Sequence, residues 1–235
     1  MKIWIICKRE LKGYFYSSQA YILIGLFLLL SGFFFCNFII GAKNSSIQYA
    51  MASWPIIFLF IAPILTMKLF TEEKKNGTEK LIFASPISVR DVVIGKFLSV
   101  CLVYIMTLAP TLIHVVLVLI IGKPDMGIIF SSYIGNLLLG LSFLSVGVFA
   151  SSLTENQIIA GVISFGLLLF FWLADLLQGV FSGLPRSLIV IFSLFEPYNP
   201  FQMGIISLSG IAYYLSFTGI FLFLTIRVIK SRWLQ

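Results

Sequence analysis

Six stretches of nearly unbroken apolar sequence, at about 21–40, 53–70, 97–121, 128–150, 157–180 and 205–229, leave this chain few ways to fold. Each is close to the roughly 20 residues that a helix needs to cross a hydrocarbon core about 30 Å thick. No water reaches the backbone there, so each stretch must satisfy its own peptide groups as a helix. Composition agrees: 60% of residues are hydrophobic and 11% charged, against about 25% charged in a soluble domain. The expected fold class is an all-α membrane protein with six transmembrane helices.

Two spans carry prolines. Pro55 suits a first helical turn, whereas Pro63 and Pro110 should kink spans two and three. Lys68, near the end of span two, can extend its amine to the interface. The segment 1–20 has only a short apolar run and no small-residue cleavage site, which predicts a retained helix rather than a cleaved signal. On a helical projection Ile3, Trp4, Cys7, Leu11, Tyr14 and Phe15 gather on one side, with Lys2, Arg9 and Lys12 on the other. Such a helix is expected to lie in the headgroup layer, its aromatic side in the acyl boundary and its basic side toward anionic lipid.

Orientation follows from the cations. Lys2, Lys8, Arg9, Lys12, Lys68, Lys74, Lys75, Lys80, Arg90, Lys96, Arg227, Lys230 and Arg232 fall on one side, against Lys43, Lys123 and Arg186 on the other. The positive-inside rule then places both termini and the long hydrophilic loop in the cytoplasm, as an even number of spans requires. The net charge of +7 is accounted for by this asymmetry, and no basic recognition motif points to nucleic acid. Cys7, Cys36 and Cys101 are too scattered for a disulfide framework or a metal site.

The loop TEEKKNGTEKLIFASPISVRDVVIGK, residues 71–96, is the one long hydrophilic stretch. Lys74 and Lys75 followed by Asn76 and Gly77 read as a basic last turn and a left-handed stop. Thr78 can cap a short helix over 79–84, with Glu79 against its dipole, and Ser85–Pro86 ends it. Ser88 and Asp91 fit the capping box of the next helix. The short helix exposes Leu81, Ile82 and Phe83, each worth roughly 1.5–3 kcal/mol if a partner buried it fully.

At these residues the chain resembles the ABC-2 type permeases, the membrane subunits of ATP-binding-cassette transporters. The resemblance is carried by Arg9-Glu10-Leu11-Lys12 with Tyr14-Phe15, by Glu72-Glu73-Lys74-Lys75-Asn76-Gly77-Thr78-Glu79-Lys80-Leu81, and by Ser85-Pro86-Ile87-Ser88 followed by Gly95-Lys96. The stretch from Gly204-Ile205-Ile206 through Tyr213-Tyr214-Leu215 to Arg232-Trp233 is similar to the gliding-motility subgroup. The resemblance implies a connecting helix at 1–20 and a six-span permease domain at 21–235. It also implies a coupling helix at about 78–84 that docks on a nucleotide-binding ATPase subunit through Thr78, Glu79, Leu81, Ile82 and Phe83. A second coupling contact would fall at Thr154, Glu155 and Asn156. Glu72 and Glu73 would pair with Arg9 and Lys12 of the connecting helix or with the partner, or simply form a solvated helix end.

No G-x-x-x-x-G-K-[ST] occurs, because Gly95-Lys96 precedes Phe97 and Gly122-Lys123 precedes Pro124. The chain is therefore expected to bind no cofactor and not to be an enzyme, with ATP and Mg on the partner subunit. Partners implied are that ATPase, a second permease, identical or related, and the lipid bilayer, in the cytoplasmic membrane of a bacterium. The resemblance has spans two and five line a central cavity, for which Phe58, Ala62, Thr66, Phe165 and Leu169 are the expected residues. An apolar lining suits export of an amphipathic, lipid-like or peptide substrate. A secondary transporter or channel, or a non-transporting membrane anchor, is the alternative; the former should show paired buried charges or matching broken helices.

The apolar but short segment 181–203 is expected to be a re-entrant outer element, with Glu196-Pro197-Tyr198-Asn199-Pro200 turning into span six. Ser132, Asn136, Gly140, Gly147 and Ser151 share one side of span four, and Gly161 and Ser164 begin a similar patch in span five; both serve intrachain packing or a dimer seam. Asp175 is a functional candidate or a hydrated interfacial group. His114 is expected to hydrogen-bond to a neighbouring helix.

Overall fold

The computed structural model describes residues 2–38, 47–78, 87–122, 124–177 and 193–233. Among them all regular structure is helical, and six helical units are long and apolar enough to cross a membrane: Gln19–Cys36, Gln48–Lys75, Val89–Ile120, Met126–Leu153, Gln157–Leu177 and Leu208–Arg232. They are preceded by α1 (Lys2–Tyr16), which stops two residues before α2 (Gln19–Cys36).

Spans two and three are segmented, span three at its proline. Span two runs through α3 (Ile47–Ala52), α4 (Trp54–Thr66) and α5 (Lys68–Lys75). Pro55 sits in the first turn of α4, and Pro63 lies inside it. The Met67 amide still donates to the Pro63 carbonyl at 2.9 Å, so the helical path continues into α5. Span three is α6 (Val89–Leu108), a 3-10 turn at Ala109–Thr111 around Pro110, and α7 (Leu112–Ile121). The Thr111 hydroxyl donates to the Leu108 carbonyl at 2.6 Å and lies 2.9 Å from the Tyr133 hydroxyl, which ties the interruption to span four.

Helix ends follow their caps rather than the ends of the apolar runs. The Asp91 amide donates to Ser88 Oγ and the Ser88 amide to the Asp91 carboxylate, so span three starts at Val89 instead of 97. Lys96 therefore lies two turns inside a helix. At the end of α5, Thr78 N–H donates to the Glu73 carbonyl and Gly77 N–H to the Lys74 carbonyl, with Gly77 at φ +67°. This paired arrangement needs a residue that tolerates a left-handed backbone, which glycine supplies.

The fourth span, α8 (Met126–Leu153), is the most enclosed of the six and the axis of the fold. Around it pack α4, α6, α9 (Gln157–Leu177), the short α10 (Asn199–Gln202) and α11 (Leu208–Trp233). Its small residues are the means of that packing. A Cβ on Gly147 would stand 2.0 Å from Thr66 Oγ1, on Gly140 2.2 Å from the Tyr104 ring, and on Gly135 2.6 Å from Phe201. Ser132, Asn136 and Ser151 are buried as well. The small-residue side of span four is thus intrachain packing surface, where glycines let three different elements approach one helix.

Of the expected outer segment 181–203, residues 181–192 lie outside the described residues. The remainder docks on α8: a 3-10 turn at Glu196–Tyr198 leads into α10, and Phe201 is fully buried. Asn136 Nδ2 donates to the Tyr198 hydroxyl at 2.7 Å and the Tyr104 hydroxyl to the Asn136 carbonyl at 2.8 Å, a polar chain linking spans three and four to this turn. Asp175 accepts a hydrogen bond from Ser193 Oγ at 2.7 Å. His114 differs from expectation: it stacks on Phe35 with ring centroids 4.5 Å apart, and its buried Nδ1 has no hydrogen-bond partner among the described residues.

Candidate functional site

Helix α1 and the last turn of α11 lie at the same end of the bundle, where four charged side chains from three elements converge. The Arg9 guanidinium of α1 donates to Glu10 at 2.5 Å and to Glu73 of α5 at 2.7 Å. Lys96 Nζ of α6 lies 2.9 Å from the other oxygen of Glu73 and 3.3 Å from Glu10. It also donates to the Leu69 carbonyl at 2.5 Å and sits 5.2 Å from the centre of the Phe70 ring. Lys96 is 1% exposed, the two carboxylates 17% and Arg9 52%. A buried ammonium persists only where opposite charge and acceptors replace its hydration, and here two carboxylates, a carbonyl and an aromatic face do so.

Close approach of the backbones makes the cluster possible. A Cβ on Gly95 would stand 2.9 Å from Ile6 and 3.0 Å from the Ile3 carbonyl, so glycine lets α1 lie directly on α6. Ile6, Cys7 and Tyr14 are buried in this contact and against span two, and the Tyr14 hydroxyl donates to the Leu65 carbonyl at 2.6 Å. Burial, with the Glu10 and Glu72 carboxylates nearby, pushes the Tyr14 phenol up from its usual range. Of the apolar side of α1, Cys7 and Tyr14 are therefore buried against protein and Ile3, Leu11 and Phe15 partly so, while Trp4 stays exposed. What the helix leaves exposed is a mixed face with Trp4, Ile5, Lys8, Lys12 and Tyr16.

A second set of contacts closes the same end. Lys74 Nζ donates to the Ser152 carbonyl at 2.5 Å and Arg232 to the Leu153 carbonyl at 2.6 Å, placing two cations at the negative end of α8. The turn that follows is self-capped: Thr154 Oγ1 accepts from the Asn156 amide, and Asn156 Oδ1 accepts from the Ile158 amide at 2.9 Å. Glu155 is exposed at its tip.

The residues expected from the sequence divide as follows. Arg9 and Glu73 join in the charged cluster, while Lys12 and Glu72 are exposed and stand outside it. Thr78 is exposed and closes the end of α5, so its contacts run back to Glu73 rather than forward. Glu79, Leu81, Ile82 and Phe83 lie outside the described residues. Thr154, Glu155 and Asn156 form the self-capped turn. Phe58, Ala62 and Thr66 are buried within the chain: Phe58 stacks on Tyr104 at 4.0 Å, and Thr66 abuts Gly147. The face of α4 that is open to the surroundings carries Ile56, Phe60 and Ile64, and Phe60 meets Phe165 at 5.2 Å. Leu169 is half-buried on α9.

The sequence names Lys96 among the cations and in the Gly95-Lys96 motif, and Glu10 in the Arg9-Glu10-Leu11-Lys12 motif, but the pairing of the two was not foreseen. The capping box held the signal, because a helix that starts at Ser88 carries Lys96 two turns inward, where a cation needs carboxylates. Comparison with curated proteins gives no match. Residues 40–229 match the family model described as "ABC-2 family transporter protein".

Proposed function

The chain belongs to the ABC-2 transporter family, as a membrane-spanning permease subunit of an ATP-binding-cassette transporter, and from that premise we propose that it is driven through residues 78–84 by ATP hydrolysis on a separate subunit. The observation that carries this reading is the charged cluster. Glu73 precedes the 78–84 segment on α5, Lys96 follows it on α6, and Arg9 and Glu10 bind both from α1. A force applied to the short segment between two such stalks is delivered to spans two and three and to α1 together, because breaking the cluster would strand buried charge. Leu81, Ile82 and Phe83 form the apolar contact with the ATPase, and the turn at Thr154, Glu155 and Asn156 is the smaller second contact. The cationic end faces the cytoplasm, with both termini inside.

Two permeases, identical or related, enclose the pathway. Its lining falls on the open faces of α4 and α9, where Phe60 meets Phe165 and where the exposed Ile64 and half-buried Leu169 also lie, since Phe58, Ala62 and Thr66 are buried in the chain's own core. Such a surface suits export of an amphipathic, lipid-like or peptide substrate. Leu81→Ser, Ile82→Ser and Phe83→Ser combined are expected to reduce co-purification of the co-expressed ATPase at least about tenfold while the permease itself remains folded, given the apolar burial at stake. Unchanged association together with unchanged ATP-driven transport would defeat the reading.

A further inference from the structure

Beside the charged cluster lies a cavity of about 200 Å³ between α1, the start of α2 and the end of span two. We propose that it binds the phosphoethanolamine headgroup of a membrane phospholipid. The level follows from the chain: α1 ends at Tyr16, the apolar α2 begins at Gln19, and the apolar run of span two ends at Phe70, just before the charged Glu72-Glu73-Lys74-Lys75 of α5. The cavity therefore sits in the headgroup layer.

Its walls carry both signs of charge. Lys68 and Glu72 are one turn apart on α5, yet neither has an ion-pair partner among the described residues. Glu10 adds a second carboxylate, of which only Oε1 is taken by Arg9 and Lys96. An ammonium group donates three hydrogen bonds, which Glu72 and the remaining Glu10 oxygen can accept. At the other side Lys68, with the uncapped amino end of α2 at Ser18 and Gln19, suits a phosphate. The ligand must thus hold a phosphate and an N–H-bearing cation a short distance apart. A choline headgroup has the charge but no N–H donors, and a glycerol headgroup has no cation.

The space is open as well as polar. A Cβ on Gly13 would meet nothing within 4 Å, although this glycine lies on a helix where a side chain would improve helix propensity. At about 200 Å³ the cavity is below the roughly 300–1,000 Å³ of sites that enclose a drug-sized ligand. It fits a headgroup whose acyl chains remain in the bilayer along the exposed Tyr21 and Ile22 of α2. The proposal is independent of the coupling role of residues 78–84.

The test is thermal unfolding of the detergent-purified full-length chain titrated with phosphatidylethanolamine, phosphatidylcholine, phosphatidylglycerol and soluble O-phosphoethanolamine. Phosphatidylethanolamine is expected to raise the unfolding midpoint at the lowest concentration. Lys68→Met should weaken that response about fivefold, the contribution of one interfacial cation. Gly13→Leu, which fills the cavity, should abolish the preference without lowering the lipid-free midpoint. Equal responses to phosphatidylethanolamine and phosphatidylcholine, or a stronger one to phosphatidylglycerol, would overturn the headgroup assignment. A preference that survives in Gly13→Leu would overturn the location. An equal response to soluble O-phosphoethanolamine would overturn a lipid as its source.

Discussion

Lys96→Met is expected to destabilise the folded permease by about 3–5 kcal/mol, the usual cost of removing one partner from a buried ion pair. The side chain is 1% exposed, and its ammonium balances Glu10 and Glu73 together while donating to the Leu69 carbonyl. Methionine matches the stem but leaves two carboxylates facing Arg9 alone. Adding Glu73→Gln should recover part of the loss, because the surplus negative charge is then reduced, and the two changes should be strongly non-additive. Denaturation midpoints of the two single variants and the double variant measure this. A Lys96→Met protein as stable as the parent would show that the cluster holds nothing together.

Gly140→Ala should cost about 3 kcal/mol, toward the upper end for overpacking a well-filled core. The new methyl would stand 2.2–2.5 Å from the Cε1, Cζ and hydroxyl oxygen of Tyr104. That ring has nowhere to go, since it is 2% exposed, stacks on Phe58 and donates to the Asn136 carbonyl. Spans three and four would have to separate, and the Tyr104–Asn136–Tyr198 chain would open with them. Gly166→Ala is the control: its Cβ would meet nothing within 4 Å, and the change should be neutral or slightly stabilising. Equal midpoints for Gly140→Ala and the parent would contradict the close packing of spans three and four.

How much of this was readable in advance depended on how local the signal was. The six spans follow from the length of the apolar runs, and the stop at Gly77 and the start at Ser88 follow from short motifs whose hydrogen bonds span a few residues. The charged cluster was not readable in the same way. Lys96 finds its carboxylates at positions 10 and 73, on two other helices, and nothing near it in sequence announces them. The inward face of α4 was equally silent, because that helix is apolar all round and its periodicity does not distinguish Phe58 from Phe60. Only the glycines of α8 decide the matter, by admitting Thr66 at Gly147 and Tyr104 at Gly140. Likewise α1 has an amphipathic pattern that fits lipid or protein, and Gly95 is what turns it onto α6.

Hydrogen–deuterium exchange of the full-length permease with and without its ATPase tests the central claim most directly. The account predicts that the ATPase slows exchange across residues 78–86 and at the turn 154–156, with the turn at 196–203 unchanged. Protection confined to the turn at 196–203, or none at 78–86 despite a stable complex, would contradict it.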